Sequence, residues 1–203
     1  MPATTDPRRT RKRGRPTADE RVERRAAVLD SALAVFLEHG FGNTTVDQLA
    51  AAGGVTKRTI YSYFGDKAGV FTEMVRSLAV TVSSDASDDD TLETLATRIV
   101  YRLHSVELVG LHRLVIAEST RFPELAVTLH DNGDARHIAR LGALLRAEHG
   151  NDAASKAKLL FALLLGEEHR RRLLGLLGPA TAYEAHEHAV TAIGALGLGP
   201  RRD

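Results

Sequence analysis

The chain has 203 residues, 27 Lys and Arg against 26 Asp and Glu, a formal net charge of +1, and no cysteine. That length can bury a sizeable core, and the lack of thiols excludes disulfides, thiolate nucleophiles and cysteine-based zinc sites, as suits a reducing, cytoplasmic compartment. No apolar segment follows the basic start, and the longest strongly apolar run, Leu159 to Leu165, is too short for a bilayer, so neither a signal peptide nor a membrane anchor is expected. The charge is unevenly placed: residues 1–25 carry +5, residues 1–80 carry +4 and residues 81–203 carry −3. A basic head on an acidic body points to a polyanionic partner at the N-terminus, with a solvated basic tail as the alternative.

Apolar residues recur every three or four positions almost throughout and strand-like alternation is missing, so an all-α fold of about nine helices is expected. Residues 1–20, rich in Pro, Thr, Arg and Gly, read as a disordered basic arm. A first helix runs from about Val22 to His39 on the stripe Ala26, Leu29, Leu33, Phe36 and Leu37, and Gly40 stops it. Thr45 with Gln48 has the form of a capping box and opens a second helix, Val46 to Ala52. After the break Gly53-Gly54-Val55, Thr56 caps a third helix that ends near Phe64-Gly65; Asp66 caps a fourth, reaching about Val82. The acidic stretch Ser83 to Asp90 is the expected boundary between a head (21–82) and a body (83–203). In the body, helices are expected at about 91–106, 108–120, 123–148, 152–177 and 181–197, with Pro123 in a first turn and Gly178-Pro179 as a stop.

Two short helices around a glycine turn, the second rich in exposed polar residues, are what reading a DNA major groove requires. In Val55 to Phe64, the apolar members Val55, Ile60 and Phe64 share one side, which leaves Lys57, Arg58, Thr59 and Tyr61 outward. Arg58 is the first choice for a guanine contact, since its fork bonds O6 and N7 together. The stretch from Ala26 to Phe71, above all Asn43-Thr44-Thr45-Val46, Gly54-Val55-Thr56 and Thr59-Ile60-Tyr61-Ser62-Tyr63-Phe64-Gly65-Asp66-Lys67, resembles the DNA-binding head of the TetR family. The resemblance implies a helix-turn-helix at 45–64 and places Thr44, Thr45, Thr56, Lys57, Arg58, Thr59, Tyr61, Tyr63 and Lys67 at the DNA, with Thr45 and Lys67 on phosphates. A Tyr61 ring packed between helices and a merely solvated Lys67 are the alternatives. Ser62 and Tyr63 stand where family members often carry an aromatic residue and a histidine. Arg13 and Arg15, in Arg-Gly-Arg-Pro, suit an A·T-rich minor groove.

One short head covers few base pairs, so a homodimer on paired half-sites is expected. Ala182, Ala185, Ala189, Ala192 and Leu196 form a small-residue seam, and Leu159, Leu163, Gly166, Leu173 and Leu177 lie near one face with Arg170. The family resemblance implies that these last two helices pair with their mates. Residues Leu111 to Leu125 resemble the start of the AefR-like C-terminal domain of one branch of that family, which implies a repressor released from a palindromic operator by a small-molecule effector. Candidates for its pocket are Met74, Leu78, Leu103, His112, Ile116, Phe122, His137 and Phe161, with core packing as the alternative. A non-sensing architectural DNA binder is the second reading.

No cofactor, metal or catalytic site is expected. His186 and His188 are two apart on a helix and face different ways, His130 and His137 are about two turns apart, roughly 10 Å, and there is no phosphate-binding glycine loop or serine elbow.

Overall fold

The structure, a computed structural model, describes residues 17–84 and 91–199. The arm with Arg13 and Arg15 therefore lies outside the described residues, as does most of the 83–90 boundary. Among the described residues every regular element is a helix.

Helix α1 (Ala18–Asn43) begins earlier than its apolar stripe because Thr17 and Glu20 cap one another, the Glu20 N–H donating to Thr17 Oγ1 and the Thr17 N–H to Glu20 Oε2, both at 3.2 Å. Gly40 does not end it. At φ 76° it kinks the helix, which makes one further turn to Asn43. The buried stripe is Val28, Leu29, Ala32, Leu33 and Phe36; Ala26 lies on the exposed side, and Leu37 is only partly covered, by Gly110.

Helices α2 (Val46–Ala52) and α3 (Lys57–Phe64) fall where the capping residues place them. Gly53 lets their turn rest on α1, since a Cβ there would stand 2.7 Å from Val28 Cγ2. Asp66 Oδ1 accepts the Gly69 N–H at 2.8 Å and starts α4 (Lys67–Ser84). The body follows with α5 (Leu92–Leu103), α6 (Val106–Glu118), α7 (Pro123–Leu129), a π-helical turn (His130–Asp134), α8 (Ala135–His149), α9 (Ala153–Leu173) and α10 (Ala182–Ala195). The span expected as one helix over 123–148 is thus α7 and α8 joined through a π turn, and α9 stops at Leu173, four residues short of the expected end.

The buried side chains form two clusters. The first joins α1 to α4 with α6 and α7 around Phe36, Phe41 and Phe71, whose ring centroids stand 5.5–5.6 Å apart. The second is mainly aliphatic, with Phe161 its one aromatic ring, and joins α5, α8, α9 and α10 around Leu95, Ile99, Leu141, Leu160 and Leu164. Full burial of one such side chain contributes about 1.5–3 kcal/mol.

The alanine seam of α10, expected at a dimer interface, lies inside the chain. Ala185 and Ala189 are 0% exposed and Ala192 5%, packed with Leu196 in the second cluster, where α10 lies against α5. Small side chains let helices approach closely, and they have served that purpose inside the chain. The large side chains point out instead: Leu159 and Leu163 on α9, Tyr183 and Val190 on α10. Arg170 is exposed beside them, and Gly166 (φ 59°) kinks α9 where a Cβ would stand 3.2 Å from His188 Cε1.

Candidate nucleic-acid interface and body cavity

The outward face of α3 is set by its inward one. Ile60 is fully buried and Phe64 nearly so, both in the first cluster, while Tyr63 is half-buried against it. That rotation leaves Thr56, Lys57, Arg58 and Tyr61 in solvent and Thr59 half-covered. Thr56 Oγ1 accepts the Thr59 N–H at 3.2 Å and lies 2.9 Å from Thr59 Oγ1, so the helix start is organised and its hydroxyls are held at the face. Lys57 Nζ lies 2.7 Å from Asp47 Oδ2, a pair more than half exposed on both sides and therefore worth at most about 1 kcal/mol.

The sequence reading missed two members of this face. Arg21 and Arg24, from the first turns of α1, line one cleft with Thr56, Arg58, Thr59, Ser62 and Tyr63, of about 420 Å³ and with no carboxylate on its wall. Three guanidinium groups are thereby collected around the N-terminal end of α3, where helix N–H groups also favour anions. The available signal was the i, i+3 spacing of Arg21 and Arg24. The adjacent Arg25 is drawn away: it pairs with Glu73 at 2.5 Å and stands over the Phe64 ring at 5.4 Å. Burial works against the charge on Glu73, but hydrogen bonds from Arg25 and Arg76 outweigh it and hold the carboxyl below its ordinary value.

Two expected DNA ligands are structural. Lys67 Nζ donates to the carbonyls of Phe41, Gly42 and Thr44 at 2.8, 2.9 and 3.0 Å and stands 4.9 Å from the Phe41 ring centroid. All three ammonium protons are used, so Lys67 closes the C-terminal end of α1 instead of holding a phosphate. Thr44 is 2% exposed and its Oγ1 donates to the Gly40 carbonyl at 2.7 Å; it caps the same kinked turn. Thr45 is exposed and forms the expected capping box with Gln48.

The candidate pocket residues divide. Leu78, Leu103, His112 and His137 come together around one cavity, with Arg102 and Asp134. Met74 lines an adjoining cleft toward α1 that shares Leu78 and Arg102. Ile116, expected in the pocket, is instead 63% exposed. Phe122 packs edge-on against Phe41 at 4.9 Å, and Phe161 stacks 6.2 Å from His137; neither lines the cavity. Burial, then the charge of His169, lowers His112 to about 4; burial, then Arg140, lowers His137 to about 4. Burial raises Asp134 to about 6 against the opposing pull of His130. The π turn places Asp134 and Gly133 on the wall, a backbone irregularity frequent at functional sites. Periodicity cannot show such a turn.

The cavity is tied to the head. Arg76 Nε of α4 donates to Asn132 Oδ1 of the π turn at 2.8 Å, and Glu118 Oε1, at the end of α6, accepts the Gly42 N–H at 3.1 Å.

Residues 28–74 match the family profile for bacterial regulatory proteins of the tetR family. Residues 90–196, more than half of the chain, match that of the C-terminal domain of AefR-like transcriptional repressors. Over 146 residues the chain is 27% identical to the HTH-type transcriptional repressor SCO4008 of Streptomyces coelicolor, covering 69% of this chain and 74% of that one. It is 32% identical over 79 residues to the HTH-type transcriptional repressor AcnR of Corynebacterium efficiens, a stretch of 39% of this chain and only 42% of that one. A TetR-family transcriptional regulator from Mesorhizobium loti has the same fold, with a TM-score of 0.68 at 24% identity over 89% of this chain and 97% of that one. The flavonoid-responsive regulator FrrA superposes equally well, with TM-score 0.68 and 24% identity over 86% and 95% of the two chains.

Proposed function

This chain belongs to the TetR family of bacterial transcription regulators, and from that premise we propose that it represses in the cytoplasm as a homodimer, reading a palindromic operator until a small molecule enters its body. It is a DNA-binding regulator and not an enzyme. The observation that carries the reading is the cleft of Arg21, Arg24 and Arg58 around the start of α3.

In this reading α3 enters the major groove. Arg58 contacts a guanine, Lys57, Thr59 and Tyr61 reach base edges or the sugar-phosphate wall, and Arg21 and Arg24 hold backbone phosphates together with Thr45, Thr56 and Tyr63. Arg13 and Arg15 follow the adjacent minor groove. Two heads 34–36 Å apart, or about one helical turn of DNA, would read two half-sites. The outward face of Leu159, Leu163, Tyr183 and Val190 supports pairing of α9 and α10 with their mates, because large apolar side chains on adjoining helices gain by being covered.

The effector site is the cavity of Leu78, Leu103, His112 and His137. Its accessible space is about 20 Å³, room for little more than one water. A ligand must therefore widen it, and the π turn, α4 and the Glu118 contact to Gly42 give that widening a route to the head spacing. Its walls suit a mainly apolar molecule with one or two hydrogen-bonding ends, met by uncharged imidazoles and by Arg102.

Genomic binding-site mapping with the full chain, followed by footprinting, tests the function. A protected palindrome near a small number of genes is expected; uniform protection without sequence preference would establish the architectural binder instead.

A further inference from the structure

A second cavity, of about 140 Å³, lies between the α5–α6 turn and the loop joining α9 to α10, and no residue on its wall belongs to the effector cavity. Its polar wall is His104, Arg113 and Arg172, and its apolar wall includes Val109, Leu177 and Pro179. No carboxylate lines it.

The polar groups are incompletely used. Arg172, 4% exposed, donates from Nε to the Gly178 carbonyl at 2.9 Å and from Nη1 to Glu168 at 3.0 Å. Arg113 donates from Nε to the Leu173 carbonyl at 2.9 Å and from Nη2 to the Arg172 carbonyl at 2.5 Å. Among the described residues, Nη2 of Arg172 and Nη1 of Arg113 have no hydrogen bond. His104 is 0% exposed, with His169 and His188 5.2 and 5.5 Å away, ring to ring. Its neutrality has a plain cause: burial first, then Arg172, His169 and His188, lower it to about 3, with only the Leu165 carbonyl favouring charge. At neutral pH the ring is thus uncharged, and the positive charge on the cavity wall belongs to the arginines. The start of α6 adds helix N–H groups beside Ser105 and Val106, which also line the cavity.

We propose that this cavity binds a small organic monocarboxylate, its carboxylate held between Arg113 and Arg172 and its hydrocarbon part against Val109, Leu177 and Pro179. The volume sets the size, since a void of roughly 150 Å³ lined by apolar side chains takes up benzene. The apolar wall favours an organic acid over inorganic phosphate. His104 packs behind the cavity with its ring buried. Because its carbonyl accepts the Ala180 N–H at 3.3 Å, the ligand would bridge two segments already in contact and stiffen the loop that leads into α10. The site is separate from the effector cavity and stands whether or not that cavity binds anything.

Calorimetric titration of the full chain with benzoate, benzamide and inorganic phosphate tests this. Saturable binding of one benzoate per chain is expected, with benzamide at least tenfold weaker and phosphate not saturable. Arg113→Gln should weaken benzoate at least tenfold. Because Arg113 also ties down the end of α9, a second variant, Val106→Trp, blocks the rim at a residue that is 64% exposed and leaves the arginines intact; it should abolish binding. Leu78→Trp, which obstructs the other cavity, should leave benzoate affinity unchanged. No saturable benzoate binding, equal binding of benzamide, binding of phosphate as tight as benzoate, or loss on Leu78→Trp without loss on Val106→Trp would each overturn the proposal.

Discussion

The two halves of the molecule both bury large apolar side chains but expose opposite kinds. Around α1 to α4 the core takes the large groups, Phe36, Phe41, Phe71 and Met74, and the surface near α3 is left with arginine, lysine and threonine. Around α9 and α10 the core takes Leu160, Leu164 and Ile193 together with alanines and an imidazole, Ala157, Ala185, Ala189 and His169, and Leu159, Leu163, Tyr183 and Val190 are left outside. The same helical periodicity therefore prepares one surface for a polyanion and another for an apolar partner. Which surface results depends on how closely the neighbouring helix approaches.

The contrast can be broken most severely at the head's own core. Phe36→Ala removes the ring common to two aromatic contacts and should cost about 3–5 kcal/mol, read as a fall in urea midpoint. At the body, the two kinds of small-residue assignment give opposite results. Ala189→Leu should overpack the α5–α10 contact and cost about 1–3 kcal/mol of stability, whereas Leu159→Glu should leave the unfolding of the chain nearly unchanged and convert dimer to monomer in sedimentation at micromolar concentration. If Ala189→Leu instead changed only the association state, the alanine seam would be an interface after all.

On the head surface, Arg58→Ala should lower operator affinity by about 1–3 kcal/mol, roughly 5- to 150-fold, and relax preference at one base position in a binding assay. Lys67 and Arg21 separate positioning from contact. Lys67→Met should lower stability by about 1–3 kcal/mol through three unanswered carbonyls while leaving the salt dependence of binding unaltered. Arg21→Gln should do the reverse, with stability unchanged and the slope of log affinity against log salt reduced by about 1.

Acid distinguishes the halves more gently. His104 is lowered to about 3 and His112, His137 and His169 to about 4, burial being the first cause in each, and none lies in α1 to α4. The unfolded chain takes up these protons near 6.5 and the folded one does not, so stability is intact above that pH and is lost as pH falls from about 6.5 toward 4. Asp134, raised to about 6, opposes this with a single proton over its own interval below 6. Amide exchange at pH 7 and pH 5 should show α5, α8 and α9 losing protection before α1 to α3.

Much of the head could be read without coordinates. The caps Thr45 and Thr56, the break at Gly53-Gly54 and the apolar trio Val55, Ile60 and Phe64 each act within one turn of chain, so residue order is enough to place α2 and α3 and to turn Arg58 and Tyr61 outward. Leu78, Leu103, His112 and His137 are expected at a pocket only through the family resemblance, and Ile116, expected with them, is exposed. Assigning the first four to one cavity required knowing that α4, α5, α6 and α8 meet.

What the sequence by itself determined about this protein is therefore what short-range forces determine: the helices, their caps, the helix-turn-helix and the family to which the pattern belongs. Tertiary structure alone decided which of two plausible partners each side chain took. Lys67 went to three carbonyls from the end of α1, Ala185 and Ala189 to α5, and Arg21 and Arg24 to the edge of α3. In each case the choice rests on a contact between segments distant in sequence, and helical periodicity fixes the direction a side chain faces but not what the fold has brought there.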